Sequence, residues 1–140
     1  MPIVTFHLVQ DAYPPDRLGQ LLARASTMYS RVLDSPIQRV RAFVAGYRPE
    51  HAAVAGQLVG EGARPAPYFE FLVLAGRPAG QRHELLAGFT DLIVEVLDAP
   101  RELVRGRAVE LDPDNWAIGG TPASVRRATE IDARATAAGS

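Results

Sequence analysis

Residue 2 is a proline, directly behind the initiator methionine. Inside a chain a prolyl nitrogen carries no N–H. A small second residue permits removal of Met1, and the chain would then begin with a secondary amine on a rigid ring. An α-amino group titrates at about 8. Burial and nearby cations lower that further, leaving an amine that is partly neutral and able to act as a base. The competing reading is that Pro2 is a common second residue without a role. Arginines are the next candidates. Arg41 and Arg105 occupy equivalent places in two similar segments, and Arg77 follows Gly76 where a strand should end. Each offers a planar fork for a carboxylate, and a cluster of them would hold the amine down; the alternative is that they are solvated surface groups.

Other chemistries lack their residues. With no cysteine there is no thiolate nucleophile, disulfide framework or cysteine metal site. The three histidines, at 7, 51 and 83, have no metal-ligand spacing and read as structural or surface groups. No phosphate-binding glycine loop and no G-x-S-x-G elbow occurs, so no cofactor and no metal is expected. The segment DPDNWAIGGTPAS, 112–124, holds the sole tryptophan, Trp116, then Ile118 and a glycine pair that marks a tight turn. Trp116 suits either core packing or the wall of a site. The crowded Asp112, Asp114 and Asn115 read best as turn caps.

The elements that must position these groups come from a loose internal repeat. Leu33, Asp34, Pro36 and Arg41 correspond to Leu97, Asp98, Pro100 and Arg105 at an offset of 64, whereas PIVTFHLV from Pro2 parallels PYFEFLVL from Pro67 at an offset of 65. A one-residue indel in the turn reconciles the two. Each half reads as strand, helix, strand. Val4, Phe6 and Leu8 alternate with Thr5 and His7, and Phe69, Phe71 and Val73 keep the same period, with Glu70 between the first pair. Leu18, Leu21, Leu22, Ala25, Tyr29 and Val32 share one helical face, and Leu85, Leu86, Phe89, Ile93, Val96 and Leu97 another. Prolines 14 and 15 open the first helix, and Pro36 and Pro100 mark exits. Second strands are expected over 40–45 and 103–109. The counterpart of Arg77 in the first half is Ala12, a loss of symmetry that points to one working site per chain, built from both halves.

The expected fold is α+β: two tandem β-α-β units forming a four-stranded sheet with two helices on one face. It is one domain over 1–140, with repeats at approximately 2–56 and 67–120 and an Ala-rich, charged C-terminal extension over 121–140. The 51–67 stretch reads as short helix or coil followed by a linker. The uncovered sheet face argues for oligomerisation. A net charge of −1 speaks against a nucleic-acid partner. No apolar run is long enough for a membrane span and no signal peptide is evident, so a cytoplasmic location is expected.

Pro2 in MPIVTFHLV, the LDSPIQRVR and LDAPRELVR segments, and NWAIGGTPASVRR together resemble the tautomerase superfamily, the group named for 4-oxalocrotonate tautomerase. The resemblance covers almost the whole chain, the middle linker being least certain. The length and fused layout look like the long members, such as malonate semialdehyde decarboxylase and cis-3-chloroacrylic acid dehalogenase. It implies a tautomerase/MIF-like fold, a homotrimer, a small anionic organic substrate, and Pro2 as general base in a cofactor-free keto–enol tautomerisation. Arg77 falls on a carboxylate-binding arginine, Arg41 and Arg105 on an arginine that binds or polarises the substrate's other end, and Trp116 on an aromatic wall ahead of Ile118. The decarboxylase pattern has an aspartate where this chain reads Pro36-Ile37-Gln38-Arg39, and Arg-Pro-Arg where it reads Arg77-Pro78-Ala79. A water-activating tyrosine and glutamate pair of the dehalogenase type has no clear place either. Plain tautomerisation is therefore the leading expectation, with dehalogenase or decarboxylase chemistry and a non-catalytic oligomeric binding protein as alternatives.

Overall fold

The computed structural model describes residues 2–139. The first unit comprises β1 (Ile3–Val9), α1 (Pro15–Leu33) and β2 (Arg41–Tyr47); the second comprises β5 (Tyr68–Leu74), α2 (Ala79–Leu97) and β6 (Arg105–Leu111). Each unit is followed by a two-residue-stranded hairpin: β3 (Ala53–Val54) with β4 (Gln57–Leu58), and β7 (Ala117–Ile118) with β8 (Thr121–Pro122). Helices α3 (Ala123–Arg126) and α4 (Ala128–Gly139) end the chain. First strands are offset by 65 and helices by 64, so the indel lies in the strand-to-helix turn, where the first unit carries the additional residue.

The helices start and stop for matching local reasons. Pro14 and Pro78 stand at the N-caps in extended conformation. Asp34 and Asp98 close the C-termini with φ of 49° and 55°, a left-handed conformation that aspartate tolerates better than most residues. Pro36 and Pro100 then forbid continuation. Ile37–Arg39 and Arg101–Leu103 form 3₁₀ turns, so the second strands begin at the arginines and run two residues past the ends expected from sequence.

The sheet order is β2-β1-β5-β6. Each unit pairs its own strands in parallel, and β1 meets β5 antiparallel, with Ile3 opposite Leu72 and His7 opposite Tyr68. That register relates the two units by an approximate two-fold axis passing between Thr5 and Glu70. One sheet face carries Val4, Phe6, Leu8, Phe69, Phe71 and Val73, all buried beneath Leu21, Ala25, Tyr29 and Leu33 of α1 and Leu85, Phe89, Leu92, Ile93, Val96 and Leu97 of α2. Phe89 meets Phe6, Tyr29 and Phe69 edge-on. The buried Tyr29 hydroxyl donates to the Leu72 and Ile3 carbonyls, tying α1 to both central strands. Burial pushes its phenol well above the ordinary value.

Among the described residues no helix packs on the opposite face. It presents Phe43, 52% exposed, and Tyr47, 41% exposed, with a polar chain at its centre. His7 contacts the Tyr47 hydroxyl at 2.6 Å and Glu70 at 3.2 Å, and Tyr68 donates to Glu70 at 3.2 Å. The histidine thus has a structural partner set far from Pro2.

The middle segment differs from its sequence reading. It is a hairpin, the counterpart of the glycine-pair hairpin in the second unit. Ala55 and Gly56 have φ of 55° and 78°, and Gly119 and Gly120 have 57° and 84°. Two successive positive φ values make the tight turn that suits twisted strands. Alanine at the first position hid that signal, because a left-handed alanine is uncommon.

Candidate active site

Antiparallel pairing of β1 and β5 carries the C-terminal end of β5 to the N-terminal end of β1. Pro2 sits at that corner, fully buried, its carbonyl accepting the backbone N–H of Arg41 at 2.8 Å. The turn after β5 brings in Arg77. Gly76 allows it by taking φ of 103°, and the Arg77 Nη1 donates to the Leu33 carbonyl at 2.9 Å. Arg77 is thereby held from both units. Burial lowers its pKa first, and the nearby positive charge of Arg134 adds to this; a guanidinium so far above neutrality keeps its charge.

The pocket against Pro2 is lined by Leu33, Ser35, Arg39, Val73, Leu74, Arg77, Arg127, Glu130 and Arg134, with a cavity volume of about 20 Å³, room for about one water. Four arginines face one carboxylate. Arg39 donates from both terminal nitrogens to both Glu130 oxygens, each at 3.0 Å. The hydrogen bond from Arg39 is the main reason the Glu130 pKa is lowered; partial burial opposes it, and Arg39, Arg127 and Arg134 add attraction.

Arg39 and Arg127 also line an adjoining chamber of about 370 Å³ together with Arg41, Trp116 and Ile118. Here the β7–β8 hairpin is latched to α3 by the Ala123 N–H on the Trp116 carbonyl at 2.8 Å. Asp112 accepts from the Asp114 N–H at 2.9 Å, the cap expected of that acidic stretch. The Arg41 Nη1 donates to the carbonyls of Gln38 and Val40.

The structure therefore gathers Pro2, Arg77, Arg41, Trp116 and Ile118 at one end of the sheet. Arg105 is not with them. Its backbone N–H bonds the carbonyl of Pro67 at 3.1 Å, the two-fold equivalent of Pro2, and its Nη1 donates to the carbonyls of Glu102 and Val104. Four site residues escaped the sequence reading: Arg39, Arg127, Glu130 and Arg134. A signal existed for three of them, because 127, 130 and 134 fall on one face at helical spacing.

A sheet of two β-α-β units about an approximate two-fold axis is the fold shared with solved fused tautomerases. Pt0534, solved after inactivation by 2-oxo-3-pentynoate, superposes with a TM-score of 0.81 at 25% identity, over 89% of this chain and 98% of its own. A fused 4-OT solved as an asymmetric trimer superposes with a TM-score of 0.80 at 22% identity, over 89% of this chain and 98% of its own. The family model described as "Tautomerase enzyme" matches residues 2–62 and again 67–126, and the chain belongs to the tautomerase family, an enzyme of isomerase type. The 2-hydroxymuconate tautomerase of Pseudomonas sp. (strain CF600) is 36% identical over 62 residues, which are 44% of this chain and 98% of that protein.

Proposed function

We propose that the protein is a cofactor-independent keto–enol tautomerase of a small carboxylate-bearing substrate, with Pro2 as general base once Met1 has been removed. The observation that carries this reading is the burial of Pro2 in a pocket walled by Arg39, Arg77, Arg127 and Arg134. Burial and four neighbouring cations both disfavour a charged amine, so the free secondary amine would be neutral enough to accept a proton near pH 7. It takes the enol O–H proton, and the electron pair left on oxygen forms the carbonyl. The carbon–carbon π pair then receives the proton back from the ammonium at the adjacent carbon. Arg77, together with Arg39 in the same pocket, receives the substrate carboxylate, and Trp116 and Ile118 wall the chamber in which the remainder lies. Arg41 faces the same chamber.

We also infer that the working form is a homotrimer, with neighbours covering the helix-free sheet face. Phe43 and Tyr47 lie exposed on that face beside a row of polar groups, a surface that suits burial by a second copy.

Intact mass and covalent labelling test the reading together. Loss of Met1, modification by 2-oxo-3-pentynoate at the Pro2 nitrogen alone, and a fall of about 10²–10⁴-fold in phenylenolpyruvate ketonisation in Pro2→Ala are expected. A retained Met1, or full turnover in Pro2→Ala, overturns it.

A further inference from the structure

The free space against Pro2 is the size of one water, whereas the chamber next to it is more than an order of magnitude larger. A substrate whose reacting atoms reach Pro2 must therefore displace something. The group placed to move is the Glu130 carboxylate. It is 44% exposed, it comes from the final helix, and it forms a two-bond fork on Arg39, which lines both spaces. Arg77 is differently placed, fixed by the Leu33 carbonyl and Gln81. The family match stops at residue 126, two residues before α4 begins, so Glu130 lies outside the residues that match the family.

We propose that Glu130 occupies the anion seat of the Pro2 pocket in the empty protein and that a substrate carboxylate binds by taking its place on Arg39, making Glu130 a specificity-determining residue. The exchange swaps one carboxylate for another, so the Arg39 fork stays paired and the pocket keeps its charge balance. A neutral ester or amide has no charge with which to compete for the fork, and it meets a closed site. A planar carboxylate matches both guanidinium nitrogens and opens it. Arg127 and Arg134 flank the seat and attract either anion. This inference rests on the proposed use of the pocket for an anionic substrate, but its test needs no turnover.

Calorimetric titration with oxalate, and with oxamide as the uncharged planar control, reads the exchange directly. Glu130→Gln removes the competing charge while keeping the shape, and is expected to tighten oxalate about two- to fivefold, the scale of a partly exposed ion pair, with oxamide unchanged. Oxalate affinity that is unchanged or weakened in Glu130→Gln overturns the proposal and leaves Glu130 as an anchor for α4 only. If that variant fails to fold, the wild-type protein carries the test: the side-chain resonances of Glu130 and Arg39 must shift on adding oxalate, and a Glu130 signal that stays in place overturns the exchange. A protein that binds oxalate in this way but does not ketonise phenylenolpyruvate refutes the proposed tautomerase reading and leaves this one standing; the reverse result refutes this one alone.

Discussion

The carbonyl of Pro2 accepts the backbone N–H of Arg41 at 2.8 Å, and the carbonyl of Pro67 accepts that of Arg105 at 3.1 Å. The two bonds are the first rungs of two parallel ladders related by the two-fold axis between the units. They pin two prolines in the same local setting. In the proposed reading Pro2 becomes the chain terminus, and it has an arginine from the opposite turn that Pro67 lacks, because the position matching Arg77 is Ala12. The backbone supplies two corners, and the side chains equip one.

Arg77 bridges the units through its bond to Leu33 and lines the pocket. Arg77→Ala should cost the charged hydrogen bonds to a substrate carboxylate, about 10–100-fold in kcat/KM and mostly in KM. Steady-state kinetics on phenylenolpyruvate would show it. Arg77→Lys keeps the charge without the fork and should recover only part of the loss.

Within one chain Arg105 stands at Pro67 and not at Pro2. We propose that in the trimer it reaches a neighbour's Pro2. Chains carrying Pro2→Ala, refolded together with chains carrying Arg105→Ala, should regain activity that neither has alone, read as turnover across mixing ratios. Absence of recovery at every ratio removes Arg105 from the site.

Gly106 faces the Phe69 ring so closely that a Cβ there would lie 2.1 Å from its Cζ. Phe69 is fully buried and packed on Phe6, Phe71 and Phe89, so it has little freedom to retreat. Gly106→Ala should destabilise the fold by about 1–3 kcal/mol, the usual cost of overpacking, visible as a lower denaturant midpoint with an unchanged slope.

Because the folded-state pKa of Glu130 lies below its ordinary value, its ion pair with Arg39 contributes stability above the unfolded carboxylate range, about pH 4. That contribution is lost as pH falls through the lowered folded value. The difference in thermal midpoint between the wild type and Glu130→Gln should therefore be constant near neutrality and shrink under acid. A gap that persists at pH 2 would show that the side chain acts through packing rather than charge.

The sequence by itself determined the two β-α-β units, since a period of two, a period of 3.6 and proline stops are local properties. The offsets of 65 and 64 even locate the one-residue difference in the turn. It also singled out Pro2, Arg77, Arg41, Arg105, Trp116 and Ile118, of which all but Arg105 come together at one end of the sheet. The hairpin at 53–58 was concealed by Ala55, which adopts a conformation its side chain disfavours. Only the tertiary structure decided the company Pro2 keeps. The antiparallel junction of β1 and β5 brings Arg77 to Pro2 and sends Arg105 to the far end of the sheet. The return of α4 sets Glu130 on Arg39. Both contacts join residues far apart in the chain through backbone pairing and charge, and no local pattern encodes which strand end or which helix face will meet.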